Sequence, residues 1–363
     1  MKKTVIALAV ISAILLLLVG CTAAPVQQAA PESDTVDTLR EFTDSTGRTV
    51  TLPAQITKIA ITGPLSQVYI LPLAGDMLVG VCNEFSQDAA QYLPDYIFEM
   101  TEIGQLYGGK GEMDLEALLL AAPDVVIDIG EPKDSLTEDM EALSEQTGIP
   151  FVHVDATVQT APEAYRTLGQ LLGREEKAQQ LAAWCETTYA NAEALMARVD
   201  ADNARKGLLY CLGDKGVNVI AEGSFHAETI NMMARNLAVV EDVVSKGTGN
   251  EVDLEQILLW NPDVILFAPD SCYDAISGAA EWQSIPAVAA GQYFKTPDGP
   301  YGWLSSPPAV QRYLGMLWLG TLLYPDYAEY DLQEAVTEYY QLFYGCELTE
   351  EMYHHLTADA LPE

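Results

Sequence analysis

Polar and apolar residues alternate through Glu41–Pro53 (EFTDSTGRTVTLP) on either side of Ser-Thr-Gly, which predicts a small β-hairpin. Lys58–Thr62 (KIAIT) reads as a short buried strand broken by Gly63-Pro64. Leu65–Ala74 is apolar enough for a helix, and Leu78–Val81 for a second strand. Helix 114–121, strand 124–129, helix 138–147 and strand 151–155 follow in turn. Strands alternating with helices predict a mostly parallel sheet covered on both faces. Residues 162–204 break that alternation. Leu168, Leu171, Leu172, Ala178, Leu181, Ala182, Cys185, Tyr189, Ala192, Leu195, Met196 and Val199 recur at helical spacing among charges, predicting one long amphipathic helix or two nearly collinear ones. The βα pattern then resumes with strand 207–212, a Gly-rich turn, strand 217–221, helix 226–236 and strand 263–268. Helices near 308–323 and 328–344 close the chain.

One stretch of that pattern is written twice. Residues 112–131 (EMDLEALLLAAPDVVIDIGE) and 251–270 (EVDLEQILLWNPDVILFAPD) align without a gap. Glu112, Asp114, Leu115, Glu116, Leu119, Leu120, Pro123, Asp124 and Val125 match Glu251, Asp253, Leu254, Glu255, Leu258, Leu259, Pro262, Asp263 and Val264. So long an offset is not a solenoid period and points to two similar lobes. Each copy opens with an Asp able to cap a helix, breaks at Pro-Asp and enters an apolar β-run. Two related α/β halves favour a binding cleft between them.

The N-terminus bears on location. Met1-Lys2-Lys3 is basic, Val5–Val19 is apolar, and Leu18-Val19-Gly20-Cys21 matches a bacterial lipobox, with Cys21 the acylated residue. Residues 1–20 then form a lipoprotein signal peptide, and 21–40, rich in Ala, Pro, Gln and Ser, a flexible tether. A net charge of −35 argues against a nucleic-acid partner. Once Cys21 is assigned to lipid, Cys82, Cys185, Cys211, Cys272 and Cys346 remain, an odd number without CxxC spacing and mostly in apolar runs, as buried free thiols would be.

The motifs DSTGRTVTLPAQITKIA, the paired DLE…PDV segments, EGSFHAETIN, and WQSIPAVAAGQYF…PYGWLSSPPAVQRYLGMLWLGTLLYPD occur in this order across residues 41–344. With the lipobox, they make the chain similar to the helix-linked (class III) substrate-binding lipoproteins of ATP-binding-cassette (ABC) importers, the class that captures ferric siderophores, haem and cobalamin. The resemblance implies two Rossmann-like α/β lobes with mostly parallel central sheets joined by a long helix. The lobes would cover 41–161 and 205–345, with linking helix 162–204 and a C-terminal tail at 346–363. It implies a monomer, lipid-anchored outside the cytoplasm, that delivers its ligand to a permease dimer with ATPase subunits. It also implies that Glu116 and Glu255 stand at the lobe tips and meet permease arginines. The chain departs from many relatives at Met233-Ala234-Arg235-Asn236 and at Ser305-Ser306 before the paired prolines.

Ligand positions are expected on loops after strands. They include Thr62, Tyr107, Lys110, Glu131, Phe225, His226, Tyr301 and Trp303, with the four aromatics forming a wall against a chelate. Basic residues are scarce, so Lys110 and Arg312 stand out as partners for a ligand carboxylate, though Arg312 equally suits bracing the Pro307-Pro308 turn. The expected ligand is a metal chelate, with no intrinsic cofactor or fixed metal site. The alternative on the same fold is a receptor for free zinc or manganese or for an oxyanion such as molybdate. A free-cation site needs several His and carboxylate ligands, whereas the chain has only His153, His226, His354 and His355. No GxSxG, HExxH or P-loop motif occurs, so no enzymatic activity is expected.

Overall fold

The computed structural model describes residues 38–107, 112–133 and 135–362. The signal peptide, Cys21, nearly all of the tether, and Lys110 lie outside the described residues. The predicted hairpin forms: β1 (Leu39–Thr43) and β2 (Thr49–Pro53) pair antiparallel. Asp44 holds the turn by accepting hydrogen bonds from the backbone N–H of Thr46 at 3.0 Å and of Arg48 at 3.1 Å.

The first half is a three-stranded parallel sheet in the order β3 (Ile59–Ile61), β4 (Val125–Gly130), β5 (Phe151–Asp155). It carries α1 (Pro64–Ala74), α2 (Leu115–Ala121) and α3 (Leu136–Thr147). Leu78–Val81 does not form a strand; Leu78 makes an isolated bridge to Ile59 of the sheet, and Val81 one to Glu102 outside it.

Residues 162–204 are two helices, α4 (Ala161–Leu172) and α5 (Glu175–Ala201), and they are not collinear. Gly173, in the left-handed region at φ 66°, turns the chain back on itself. A Cβ on Gly169 would lie 2.4 Å from that of Ala178, and Arg166 reaches Glu186 at 2.8 Å, so the helices pack side by side. Only α5, 27 residues long, is a strap between the halves.

The second half is a six-stranded sheet ordered β11 (Tyr293–Lys295), β10 (Val264–Phe267), β6 (Gly207–Leu212), β7 (Asn218–Val219), β9 (Asn250–Glu251), with β8 (Arg235–Asn236) also beside β6. The β6, β8, β10 and β11 pairings are parallel; those of β7 are antiparallel. The helix expected over 226–236 is shorter, because Arg235 and Asn236 leave it to pair with Gly207 and Leu208. It is a 3₁₀ turn followed by α6 (Glu228–Met233). Helices α7 (Leu254–Trp260), α8 (Tyr273–Ile276), α9 (Pro286–Ala289), α10 (Arg312–Leu323) and α11 (Leu332–Tyr339) complete this half. The expected tail instead forms α12 (Glu350–Thr357), whose Tyr353 and Leu356 are buried. Trp318 Nε1 donates to the Ala360 carbonyl at 2.7 Å. Cys82, Cys185 and Cys211 are buried and Cys272 and Cys346 half-buried, all unpaired. Among the described residues no helix is long and apolar enough to cross a membrane.

Leu39–Glu363 is one compact unit; of its three apolar clusters, a smaller one lies in each half and the largest runs through both. Its hub is Trp184 on α5, whose ring lies 5.1 Å from Tyr339, 5.5 Å from Phe343 and 6.3 Å from Tyr313. Edge-to-face packing of this kind stiffens the junction beyond simple burial. Trp184→Ala is therefore expected to cost about 3–5 kcal/mol in urea unfolding; a loss under about 1 kcal/mol would show that the hub is not structural.

Candidate ligand cleft and docking helices

Parallel strands bring their carboxyl ends to one edge, and that edge assembles the first cluster. Asp128 lies within β4, every residue of which is buried, directly opposite His153 on β5. The His153 imidazole bridges Asp128 Oδ2 at 2.7 Å and Asp155 Oδ1 at 2.8 Å, and the Thr62 hydroxyl donates to Asp128. Lys133 Nζ lies 4.0 Å from Asp128 and 4.2 Å from the centre of the Tyr107 ring. The Tyr107 hydroxyl donates to Asp139 at 3.1 Å. Gly63 permits this arrangement, since a Cβ there would meet the Tyr107 carbonyl oxygen at 2.4 Å.

Burial pushes the Asp128 carboxyl up, but hydrogen bonding from His153, the Lys133 and His153 charges and the Thr62 hydroxyl outweigh it, leaving its pKa below the ordinary value. Asp44 behaves alike: burial opposes its charge, and Thr46 and Arg48 prevail. A depressed carboxyl pKa adds stability above the unfolded-state value, and that stability is lost as pH falls through the folded one. The melting temperature should hold from neutral pH to about pH 4 and fall below it. Asp44→Asn should flatten this acid limb; an unchanged limb would contradict the assignment.

The second cluster is built on Arg312 at the start of α10, which is fully buried. Its Nη1 lies 2.7 Å from Glu228 Oε2 and donates to the Phe225 carbonyl at 2.9 Å, and its Nε donates to the Ala309 carbonyl at 3.2 Å. The guanidinium sits 4.6 Å from the centre of the Phe225 ring. Its Nη2 and the Nδ1 of His226 are both buried without a hydrogen-bond partner. Burial first, and then the Arg312 charge, push the His226 pKa down to about 4, so its imidazole is neutral at pH 7.

The clusters meet. The Val158 N–H, just past β5, donates to Glu228 at 3.3 Å, and the Tyr313 hydroxyl donates to the Val158 carbonyl. Burial raises the Glu131 pKa, and its carboxyl feels Lys133 on its own side and Glu228 and Arg312 across the junction. Of the expected ligand residues in the first half, Glu131 thus reaches across to the side of Phe225, His226 and Arg312, whereas Thr62 and Tyr107 belong to the Asp128 cluster within their own half. Tyr301 is also at the junction, with Gln67 donating to its hydroxyl at 3.4 Å. Trp303 is fully buried in the core. The four aromatics do not form one wall. Tyr107 packs under Lys133, Phe225 on Arg312 and Tyr301 against Phe85, while Trp303 lies behind the surface. Bracing of the proline turn falls to Gln311, which donates to the Pro307 carbonyl. Sequence reasoning missed Asp128, His153, Lys133 and Glu228 as parts of the site. A charged residue within an apolar strand run, as in VVIDIG and FVHVD, was the available signal for the first two.

The duplicated helices are structural twins. Residues 112–120 and 251–259 share one burial pattern position for position, with only Leu118 and Ile257 buried. Asp114 accepts from the N–H groups of Glu116 and Ala117, both at 2.9 Å, and Asp253 from that of Gln256 at 2.7 Å. Both helices end on a left-handed residue at φ 48° and ψ 63°, Ala122 and Asn261. Asp124 and Asp263 also correspond: the first accepts from the Lys58 N–H at 2.9 Å and the second from the Gly207 N–H at 2.6 Å, each tying the entry of a neighbouring strand. Glu116 and Glu255 are exposed.

A family model described as "Periplasmic binding protein" matches residues 76–300. The chain is 25% identical over 333 residues to the molybdate-binding protein MolA of Haemophilus influenzae, covering 84% of this chain and 91% of that one. An ABC transporter solute binding protein from Sulfurospirillum deleyianum superposes with a TM-score of 0.81 at 28% identity, over 88% of this chain and 99% of the other. A periplasmic solute binding protein from Veillonella parvula does so with a TM-score of 0.70 at 25% identity, over 89% and 98%. The family match takes in both duplicated helices and the Phe225–Glu228 segment, and stops just short of Tyr301 and Arg312. With its two sheets, its single strap helix and a match over more than half its length, the chain belongs to the periplasmic binding protein family, whose members serve ABC transporters outside the cytoplasm.

Proposed function

We propose that this receptor captures an anionic metal complex, a ferric siderophore or another metal chelate such as haem or cobalamin, at the junction between its halves. The observation that carries the reading is the pairing of a fully buried Arg312, with one guanidinium nitrogen unpartnered, and a neutral His226 with an unpartnered Nδ1. The guanidinium nitrogen is necessarily a donor, and a buried donor left without a partner is costly unless a ligand completes it, while the neutral imidazole beside it adds no competing charge. Lys133 supplies further positive charge from the opposite side, in a chain that carries only 18 Lys and Arg. Among the described residues, no three His, Cys, Asp or Glu side chains are grouped to hold a metal ion, so the reading rests on the complex being bound through its anionic periphery. A second reading, a bare oxyanion, draws support from the molybdate-binding relative.

The rest of the proposal follows from the transporter family. Cys21 carries the lipid that tethers a monomeric receptor to the membrane, Glu116 and Glu255 dock it to the permease, and the protein itself catalyses nothing. Fluorescence titration of the compact body against ferric chelates, haem, cobalamin and molybdate tests the ligand class. Saturable binding of a chelate supports the main reading, and binding of molybdate alone supports the second. Binding of a sugar or peptide with none of these would defeat both.

A further inference from the structure

Exposed leucines scattered singly need no explanation, but here they are paired and duplicated. Leu119 and Leu120 are 49% and 87% exposed, and their counterparts Leu258 and Leu259 are 42% and 77% exposed. These are four of the nine large hydrophobic side chains exposed among the described residues, all on two seven-residue helices. On a helix, positions three and four apart share a face, so Glu116, Leu119 and Leu120 project together. Leu118 points the other way, into the core, with no exposure. Glu255, Leu258, Leu259 and the buried Ile257 repeat the arrangement.

The supporting positions are partly kept and partly changed: Leu115 and Leu254 match, whereas three others differ. The buried anchor is Leu118 in one and Ile257 in the other, Ala117 has become Gln256, and Ala121 has become Trp260. The exposed Glu-x-x-Leu-Leu face is identical. Exposed leucines are not required by the core, so an exposed face kept alike on both halves, beside support that is only partly kept, fits a partner that presents the same site twice. Each patch is acidic as well as apolar, with Glu112 and Asp114 exposed beside the first and Glu251 and Asp253 beside the second.

We propose that the Leu119-Leu120 and Leu258-Leu259 pairs are the apolar centres of two equivalent docking patches for the extracytoplasmic face of a two-fold symmetric permease, the partner that an apolar, acid-rimmed surface presented twice would fit. This rests on the reading of the chain as an importer's receptor. In it, the glutamates give charge-assisted registration, and the leucines, desolvated on contact, supply the non-directional part of the affinity.

The test uses the full chain and the purified permease complex of the same importer in lipid nanodiscs. Leu120→Ser and Leu259→Ser should each weaken binding about tenfold, and the pair about a hundredfold or more. Melting temperature and ligand affinity should stay at wild-type values, since all four leucines stand outside the core. Permease binding by the double variant within about twofold of wild type would overturn the proposal. So would self-association of the wild type that the double variant loses, which would assign the face to a second copy of the chain. A wild type that does not bind the permease at all would overturn the receptor reading itself, an outcome distinct from selective loss in the leucine variants.

Discussion

Arg312→Met is expected to cost about 3–5 kcal/mol of folding stability and to abolish ligand binding. The guanidinium has no contact with solvent, and it satisfies the Glu228 carboxylate and the Phe225 and Ala309 carbonyls at once. Methionine matches much of its volume but leaves those acceptors without their donor. Lysine is no rescue, because one ammonium does not span three acceptors that a planar fork reaches together. Glu228→Gln should cost less, since the carboxamide oxygen still accepts from Arg312 and the side chain is 26% exposed. Urea unfolding with parallel ligand titration checks both variants. Arg312→Met within about 1 kcal/mol of wild type would show that this buried cation is not integral to the junction.

Glu116→Ala combined with Glu255→Ala should nearly abolish uptake while sparing the fold. Both side chains are exposed in the first turn of their helices behind an Asp cap. The helix-dipole contribution they surrender is about 0.3–1 kcal/mol each. A charge-assisted contact to a permease arginine is worth about 1.5–3 kcal/mol, and every 1.4 kcal/mol is about tenfold. One loss therefore weakens docking roughly ten- to hundredfold, and two multiply. Reversal to Lys should be worse than Ala, because it adds repulsion. Ligand affinity and melting temperature should barely move. Wild-type transport by the double alanine variant would reduce these glutamates to helix caps.

What was legible from sequence was what local chemistry dictates. The Asp caps, the Pro-Asp breaks and the apolar β-runs of the two copies became twin helix–strand units because each signal acts within a few residues. Residues 162–204 went astray because helical periodicity reports a face and not a direction. A single left-handed Gly173 turned a supposed strap into a hairpin plus a strap. Arg312 stood out by scarcity, but its partner Glu228 did not, since nothing local distinguishes one glutamate among many. Trp303, flanked by Gly302 and a serine–proline run, was expected in an aromatic wall against the ligand. It is buried because Gly315 on α10 lets its carbonyl approach to where a Cβ would stand 2.5 Å away. The supposed tail is held by Ala360 and Asp359 through hydrogen bonds to residues far back in the chain. Long-range pairings of this kind leave no periodic trace.

The central claim, that this chain hands an anionic metal complex to a permease, is tested most directly in proteoliposomes holding the permease and its ATPase subunits with ATP inside. Uptake of the complex that binds best in titration should depend on the added receptor, and the Glu116→Ala, Glu255→Ala variant should fail to support it despite unchanged ligand affinity. Uptake at the same rate with or without the receptor, or equal uptake with the variant, would contradict the account.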